Sequence, residues 1–244
     1  DTDDSYGKQF RGGTGDEDVP VTWIMRNFPA PTIDVQRTDF GLQIEARRHL
    51  SDTRDHVRVT NLLFPNAIVI PMSKSMAITQ WHVPVDDHNC YWYAQFTSYE
   101  SPVDKPLMRE QRLELYRLPD YKPRVGRFNQ WGYDPAEQDS ETYTGMGMDI
   151  NVHEQWAVES PGSITDRSRE NLAGTDIAIS RYRAMLLRSM DKAASTDAND
   201  DLPLHRAAGT PAIGPQWHDS IMDAGCPREA WLDGYRLCRD TSGW

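Results

Sequence analysis

A chain of 244 residues with 37 acidic and 26 basic side chains carries a formal charge of -11, which excludes the broad basic face that nucleic-acid binding requires. Eight Trp, ten Tyr and six Phe supply the aromatic bulk of a folded protein, although mean hydropathy is low at -0.69. No apolar run approaches the roughly 20 residues of a membrane span, and Asp1 to Asp4 is the opposite of a signal peptide, so a cytoplasmic location without a membrane partner is expected.

In chain order, residues 1–20 are Gly- and Asp-rich and lack a hydrophobic period, which predicts an extended lead-in that reaches about residue 30. Short runs bounded by turn residues follow: Thr32 to Gln36, Leu42 to His49, His56 to Leu63, Ala67 to Pro71, Ala77 to Val85 and Cys90 to Ser98. Their alternation and their β-branched and aromatic content predict strands. Asp39 with Gly41, and the cluster Asp86, Asp87, His88, Asn89, read as hairpin turns, so neighbouring strands should pair antiparallel.

Residues 104–118 read as a helix carrying Leu107, Leu113, Leu115 and Leu118, and residues 119–149 as a long loop of the kind that forms lids or binding walls. Asp149 suits the N-cap of a short helix through Ala157, and Ser163 and Thr165 suit the cap of another. The strongest helical pattern runs from Thr175 to Ala194, with Ile177, Tyr182, Met185, Leu186 and Met190 on one broad face. Residues 195–201 read as a polar linker, and the tail to Trp244 has only a weak helical pattern. An antiparallel sheet followed by helices makes the fold class α+β. The domain division that follows is a lead-in over 1–30, one domain over 31–195 and an extension over 196–244.

Several chemistries lack their residues. Cys90, Cys226 and Cys238 are odd in number and widely spaced, as reduced thiols are. No Cys-x-His or Cys-x-x-His occurs, so a 2Fe-2S cluster of the Rieske type is not held by this chain. Arg11-Gly12-Gly13-Thr14-Gly15 lacks the Gly-Lys-Ser/Thr of a phosphate loop, and Ser160 is not in a nucleophile-elbow context.

Three stretches carry a family resemblance. The first runs from Thr38-Asp39-Phe40-Gly41-Leu42 through Arg47-Arg48 and Val57-Arg58-Val59-Thr60-Asn61 to Phe64-Pro65-Asn66 and Ile70-Pro71. The second is Trp81-His82-Val83-Pro84-Val85-Asp86-Asp87 before Tyr91-Trp92-Tyr93. The third and most specific contains Trp131-Gly132-Tyr133-Asp134, Thr142 to Gly147, Asn151-Val152-His153-Glu154-Gln155-Trp156, Asp166 to Glu170 and Thr175 to Arg183. Together they resemble the catalytic domain of Rieske-type non-haem iron aromatic ring-hydroxylating oxygenases, in the phthalate dioxygenase-like branch. The resemblance implies a helix-grip, START-like domain, in which a curved antiparallel sheet wraps a long C-terminal helix. It also implies iron(II) held by two His and a carboxylate, a trimer, and electrons from a Rieske-bearing segment and a reductase. Three ligands on one face leave iron open to dioxygen beside an aromatic small-molecule substrate.

The family's carboxylate ligand, usually Asp, is matched by Glu154, whose extra methylene changes its reach; the bland alternative is a solvated acid in an early helical turn. The family's His pair lies upstream of the matched region, and none of the seven His here shares its spacing. His82, His88 and His153 are the weaker candidates, each of which also reads as a hydrogen-bonded or exposed imidazole. Trp92, Phe96 and Met185 are candidates to line a substrate pocket, or else belong to the core. Arg47 and Arg58 suit a substrate carboxylate, or else are solvated strand residues, and the charges from Asp166 to Glu170 suit a subunit contact or a solvated face. Three functions therefore compete: an oxygenase catalytic segment, a non-catalytic helix-grip subunit that has lost its iron site, and a helix-grip ligand-binding protein.

Overall fold

The computed structural model describes residues 19–194 and 214–243. The first 18 residues of the expected lead-in and the expected polar linker over 195–201 lie outside them. The elements in chain order are α1 (Val21–Asn27), β1 (Thr32–Thr38), β2 (Gly41–Ser51), β3 (Arg54–Leu63), β4 (Ala67–Pro71), β5 (Met76–Pro84), β6 (Cys90–Ser98) and α2 (Lys105–Leu115). They continue with β7 (Tyr116–Arg117), β8 (Lys122–Pro123), α3 (Pro135–Ser140), α4 (Ile150–Glu159), α5 (Ile177–Ala194), β9 (His218–Asp223) and α6 (Arg228–Thr241). Contacts group these into two compact units, one made of Pro20–Asn27 and Ser101–Glu170, the other of Phe28–Glu100 and Asn171–Trp244. That grouping differs from a single domain over 31–195 with an extension, and the helix Val21–Asn27 replaces part of the extended lead-in.

In the second unit β1 to β6 form an antiparallel meander, and β9 joins it by pairing with β3. Turn chemistry sets the register as the sequence predicts. Gly41 pairs with Thr38 across the first turn, and an added Cβ there would lie 2.0 Å from the Leu62 carbonyl oxygen, so only glycine permits the approach of β2 to β3. At the tip of β5 and β6 the Asp86 carboxylate accepts from the backbone N–H groups of His88 and Asn89, each at 2.8 Å.

Strand parity sorts the sheet into two faces. Leu42 of β2 packs with Val35, Phe64, Ala178 and Met185 against α5, joined by Ile44, Leu62, Tyr182 and Leu186. The Arg181 guanidinium donates to the Val35 carbonyl, and the Tyr182 hydroxyl to that of Pro65. The helix is narrower in contact than its sequence suggests: Ile177 and Met190, expected on the packed face, are exposed. This sheet gripping a long helix is the α+β, helix-grip arrangement.

The opposite face is covered by the segment expected to be a weakly structured tail. Trp231, Tyr235 and Cys238 form the buried stripe of α6. Trp231 packs on Val57 and Val59, and its indole N–H donates to Glu45 at 3.0 Å. Tyr235 joins Val69, Ala77 and Trp217, with Tyr99 stacked on Trp217 at 5.2 Å. In β9 the fully buried Asp219 accepts from Arg58 and meets His56 Nε2 at 2.8 Å. Burial pushes the Asp219 pKa up, but Arg58 and His56 outweigh it and hold the carboxyl below its usual range. Next to it, His218 is buried and bonded to Ser220 at 2.6 Å, and burial lowers its pKa to about 4.

The first unit replaces the expected long loop with short capped pieces. Asp104 caps α2 through the Leu107 N–H at 3.0 Å, Asp134 caps α3 through Ala136 at 2.8 Å, and Asp149 caps α4 through Asn151 at 2.9 Å. The helix expected over 104–118 ends at Leu115, where the chain turns into the β7 and β8 hairpin. No helix is capped by Ser163 or Thr165; Asp166 instead caps a single 3-10 turn, Arg167–Arg169.

Because folded His218 binds a proton less readily than the unfolded chain, stability is whole above the ordinary histidine pKa and falls as pH drops from about 6.5 toward 4, by on the order of 3 kcal/mol. Urea midpoints measured across that window should show the fall, and His218→Asn should flatten it. Trp231→Ala should cost about 3 to 5 kcal/mol, read as a lowered urea midpoint at pH 7.

Candidate functional site

Glu154 lies in the middle of α4. Its carboxylate is half-buried and, among the described residues, makes neither hydrogen bond nor ion pair. Burial pushes its pKa above the ordinary value, and the negative charge of Asp149 adds to the rise. Asp149 is itself engaged, accepting from the Asn151 backbone and side chain and pairing with Arg112 at 3.6 Å. The Tyr116 phenol is also pushed up by burial; Asp149 and Glu154 add to this, and Arg112 opposes it. Arg112 thus answers Asp149, and Glu154 is left half-buried without a cation among the described residues.

The neighbouring His153 is built into the loop before α4. Its Nε2 lies 3.0 Å from the Thr144 hydroxyl and 2.9 Å from the Gly147 carbonyl, pinning residues 144–147 to the helix. On the following turns Gln155 donates to the Val125 carbonyl and to Glu159. The charged run Asp166 to Glu170 is held by local contacts, including Arg167 with Glu170 at 3.4 Å.

In the sheet unit, His82 and Trp92 are cross-strand partners and stack at 5.5 Å, and burial lowers the His82 pKa. The Trp92 indole nitrogen is buried without a hydrogen-bond partner. Phe96 follows at the same strand parity, so Trp92, Phe96 and the α5 residue Met185 belong to one face of the sheet. Met185 lies over β1 to β3 in the core, whereas Trp92 and Phe96 stand on the terminal strand β6. His88 is apart from all three, exposed at the hairpin tip.

The arginines divide by parity. Arg47, on the α6 face, binds Glu45 at 2.8 Å, Asp55 at 3.3 Å and Cys226 at 3.4 Å; burial opposes its charge, but these partners raise its pKa. Arg58 is engaged by Asp219. Both are thus partly buried and engaged by carboxylates of the sheet unit. Arg48, on the same face as Trp92, was not singled out from the sequence as a site residue. Its Nε donates to the Phe28 carbonyl at 3.1 Å, while its Nη1 is buried with no partner. Burial and the Arg58 charge lower its pKa, against Asp219.

Iron(II) with a two-His, one-carboxylate set needs three donors together, and among the described residues no group of three His, Cys, Asp or Glu is so placed. The described residues do not by themselves make up that set. Among them no helix is long and apolar enough to cross a membrane.

Comparison with known sequences bears on the same elements. The family described as LigXa C-terminal domain like matches residues 19–204. The chain is 25% identical over 185 residues to the phthalate 4,5-dioxygenase oxygenase subunit of Pseudomonas putida, covering 72% of this chain and 42% of that one. It is 26% identical over 193 residues to the 3-chlorobenzoate-3,4-dioxygenase oxygenase subunit of Comamonas testosteroni, covering 71% and 44%. The chain therefore spans less than half the length of these relatives. With the profile covering most of the sequence and the sheet gripping α5 as the motifs imply, the chain belongs to the LigXa C-terminal domain-like family, within the catalytic domains of Rieske-type ring-hydroxylating oxygenases.

Proposed function

We propose that this chain is the catalytic-domain portion of a Rieske non-haem iron oxygenase that uses dioxygen to hydroxylate or O-demethylate an aromatic acid or ether. Electrons come from a Rieske cluster on another segment or subunit, fed by a reductase, within a trimer. The observation that carries this reading is Glu154: a half-buried carboxylate without a cation among the described residues, which the motif around it matches to the family's carboxylate ligand. A carboxylate partly withdrawn from water favours a bound cation. Two His ligands from another segment complete the set, and the bound iron supplies dioxygen activation.

This chain's own residues then have separate tasks. Glu154 contributes one metal bond, and Asp149 and Arg112 hold the start of α4 in place. Arg48 offers a buried N–H to an anion, which favours an aromatic carboxylate over a neutral ether. Trp92 and Phe96 supply ring surface on the same face of the sheet. The compounds in the names of the two relatives, phthalate and 3-chlorobenzoate, are of this kind. A second reading, a helix-grip subunit or ligand-binding partner that has lost the iron site, is favoured by the lack of a three-donor group among the described residues.

Anaerobic reconstitution with iron(II) in the presence of the Rieske-bearing partner should yield stoichiometric iron. Glu154→Ala should weaken its retention by at least about tenfold, and Glu154→Asp should largely keep it. An assembly that stays iron-free, or one whose iron and turnover survive Glu154→Ala, moves the assignment to the non-catalytic reading. Arg48→Met should weaken phthalate binding, measured calorimetrically, by about 10- to 100-fold, with a partial return in Arg48→Lys. A neutral aryl ether of similar size should bind Arg48→Met and the unmodified chain alike.

A further inference from the structure

An open cleft of about 490 Å³ lies within the Ser101–Glu170 unit, lined by the rings of Trp131, Tyr133, Tyr143 and Trp156 and by Met146. Tyr143 is 81% exposed and Trp156 43%. Among the described residues none of these four rings stacks on another, so their faces are not used up in mutual packing. Much of the surrounding hydrogen bonding is internal: the Tyr133 hydroxyl donates to Gln138 at 2.7 Å, Gln138 donates to the Tyr143 carbonyl at 3.3 Å, and the Thr144 hydroxyl meets His153 at 3.0 Å. The lining therefore presents π surface more than polar groups.

Trp131 is held in a demanding conformation. Gln130 and Trp131 both have φ of 54°, a left-handed region that non-glycine residues seldom occupy, and the turn is secured by the Trp131 N–H on the Gly126 carbonyl at 2.8 Å. The Trp131 indole N–H donates to the Glu159 carboxylate at 2.7 Å. A carboxylate accepting that hydrogen pushes electron density into the ring and makes its faces more attractive to positive charge. The Arg127 guanidinium already sits 6.0 Å from the ring centroid. Along the chain, residues 130–160 contain seven Asp and Glu and no Lys or Arg.

We propose that this cleft is a binding site for a small alkylated ammonium ion, held by cation–π contact with Trp131, Tyr133, Tyr143 and Trp156. The exposed rings of Tyr143 and Trp156 supply contact beside Trp131, whose electron-rich ring already draws the Arg127 guanidinium, and that preference for positive charge selects a cation over a neutral molecule of the same size. The site does not use Glu154 or Arg48 and is independent of the oxygenase reading.

Choline and its neutral isostere 3,3-dimethyl-1-butanol separate charge from shape, with the 244-residue chain followed by NMR at the indole N–H signals of Trp131 and Trp156. Choline should shift both signals saturably, and the isostere should bind about tenfold more weakly. Tyr143→Phe should retain choline binding and Tyr143→Leu should weaken it several-fold; the exposure of Tyr143 lets both variants fold, checked by circular dichroism. Equal binding of the isostere would make the cleft a plain apolar pocket and overturn the proposal. So would an absence of choline shifts, or choline affinity unchanged in Tyr143→Leu.

Discussion

A carboxylate with no solvent exposure sits in the sheet unit, and the arrangement around it depends on how it is neutralised. Asp219 is met by Arg58 and His56, both from β3, across about 160 residues of chain. An unpaired carboxylate there would cost several kcal/mol, so β9 is fixed to β3 in one register, with Asp219 opposite Arg58. That register sets where α6 begins, and α6 brings Trp231 over Val57 and Val59. The same ion pair also has a consequence on the other strand. With Arg58 committed to Asp219, Arg48 feels its positive charge and is not fully paired itself.

Much of this was legible in the sequence where structure depends on near neighbours. Strands β1 to β6 follow from alternation, and their turns from Asp39 with Gly41 and from Asp86 to Asn89, because those residues bond to backbone only a few positions away. Strand β9 was not legible, for a physical reason. Its buried residues His218, Asp219 and Ser220 are polar, and Asp219 becomes interior only through His56 and Arg58, far away in sequence. The α6 stripe of Trp231, Tyr235 and Cys238 has helical spacing, but the flanking Pro227 and the internal Gly234 weaken the local pattern. Residues 119–149 read as loop because each helix or turn within them is short and held by its own cap rather than by a hydrophobic period.

The candidate site divides in the same way. Glu154 was found through the motif around it, since nothing in its own spacing distinguishes it from a solvated acid. Arg47 and Arg48 are identical neighbours, and composition cannot rank them. Parity can: Leu42 and Ile44 face α5, so Gln43, Glu45 and Arg47 must face the other way, where Glu45 and Asp55 pair with Arg47. Arg48 then falls on the aromatic face by necessity. The pairing of Arg47 with its acids required knowledge of β3, which brings Asp55 alongside.

Charge accounting within each unit ends in an imbalance of opposite sign. In the first unit Arg112 pairs with Asp149, and Glu154, whose pKa Asp149 helps to raise, is half-buried without an ion-pair partner among the described residues. In the sheet unit Arg48 and Arg58 face a single carboxylate, Asp219, which pairs with Arg58 and leaves a guanidinium nitrogen over. Simple removal of either leftover group would lower the cost of burial, so stability does not explain their presence. A bound cation would balance the first and a bound anion the second, each within its own unit.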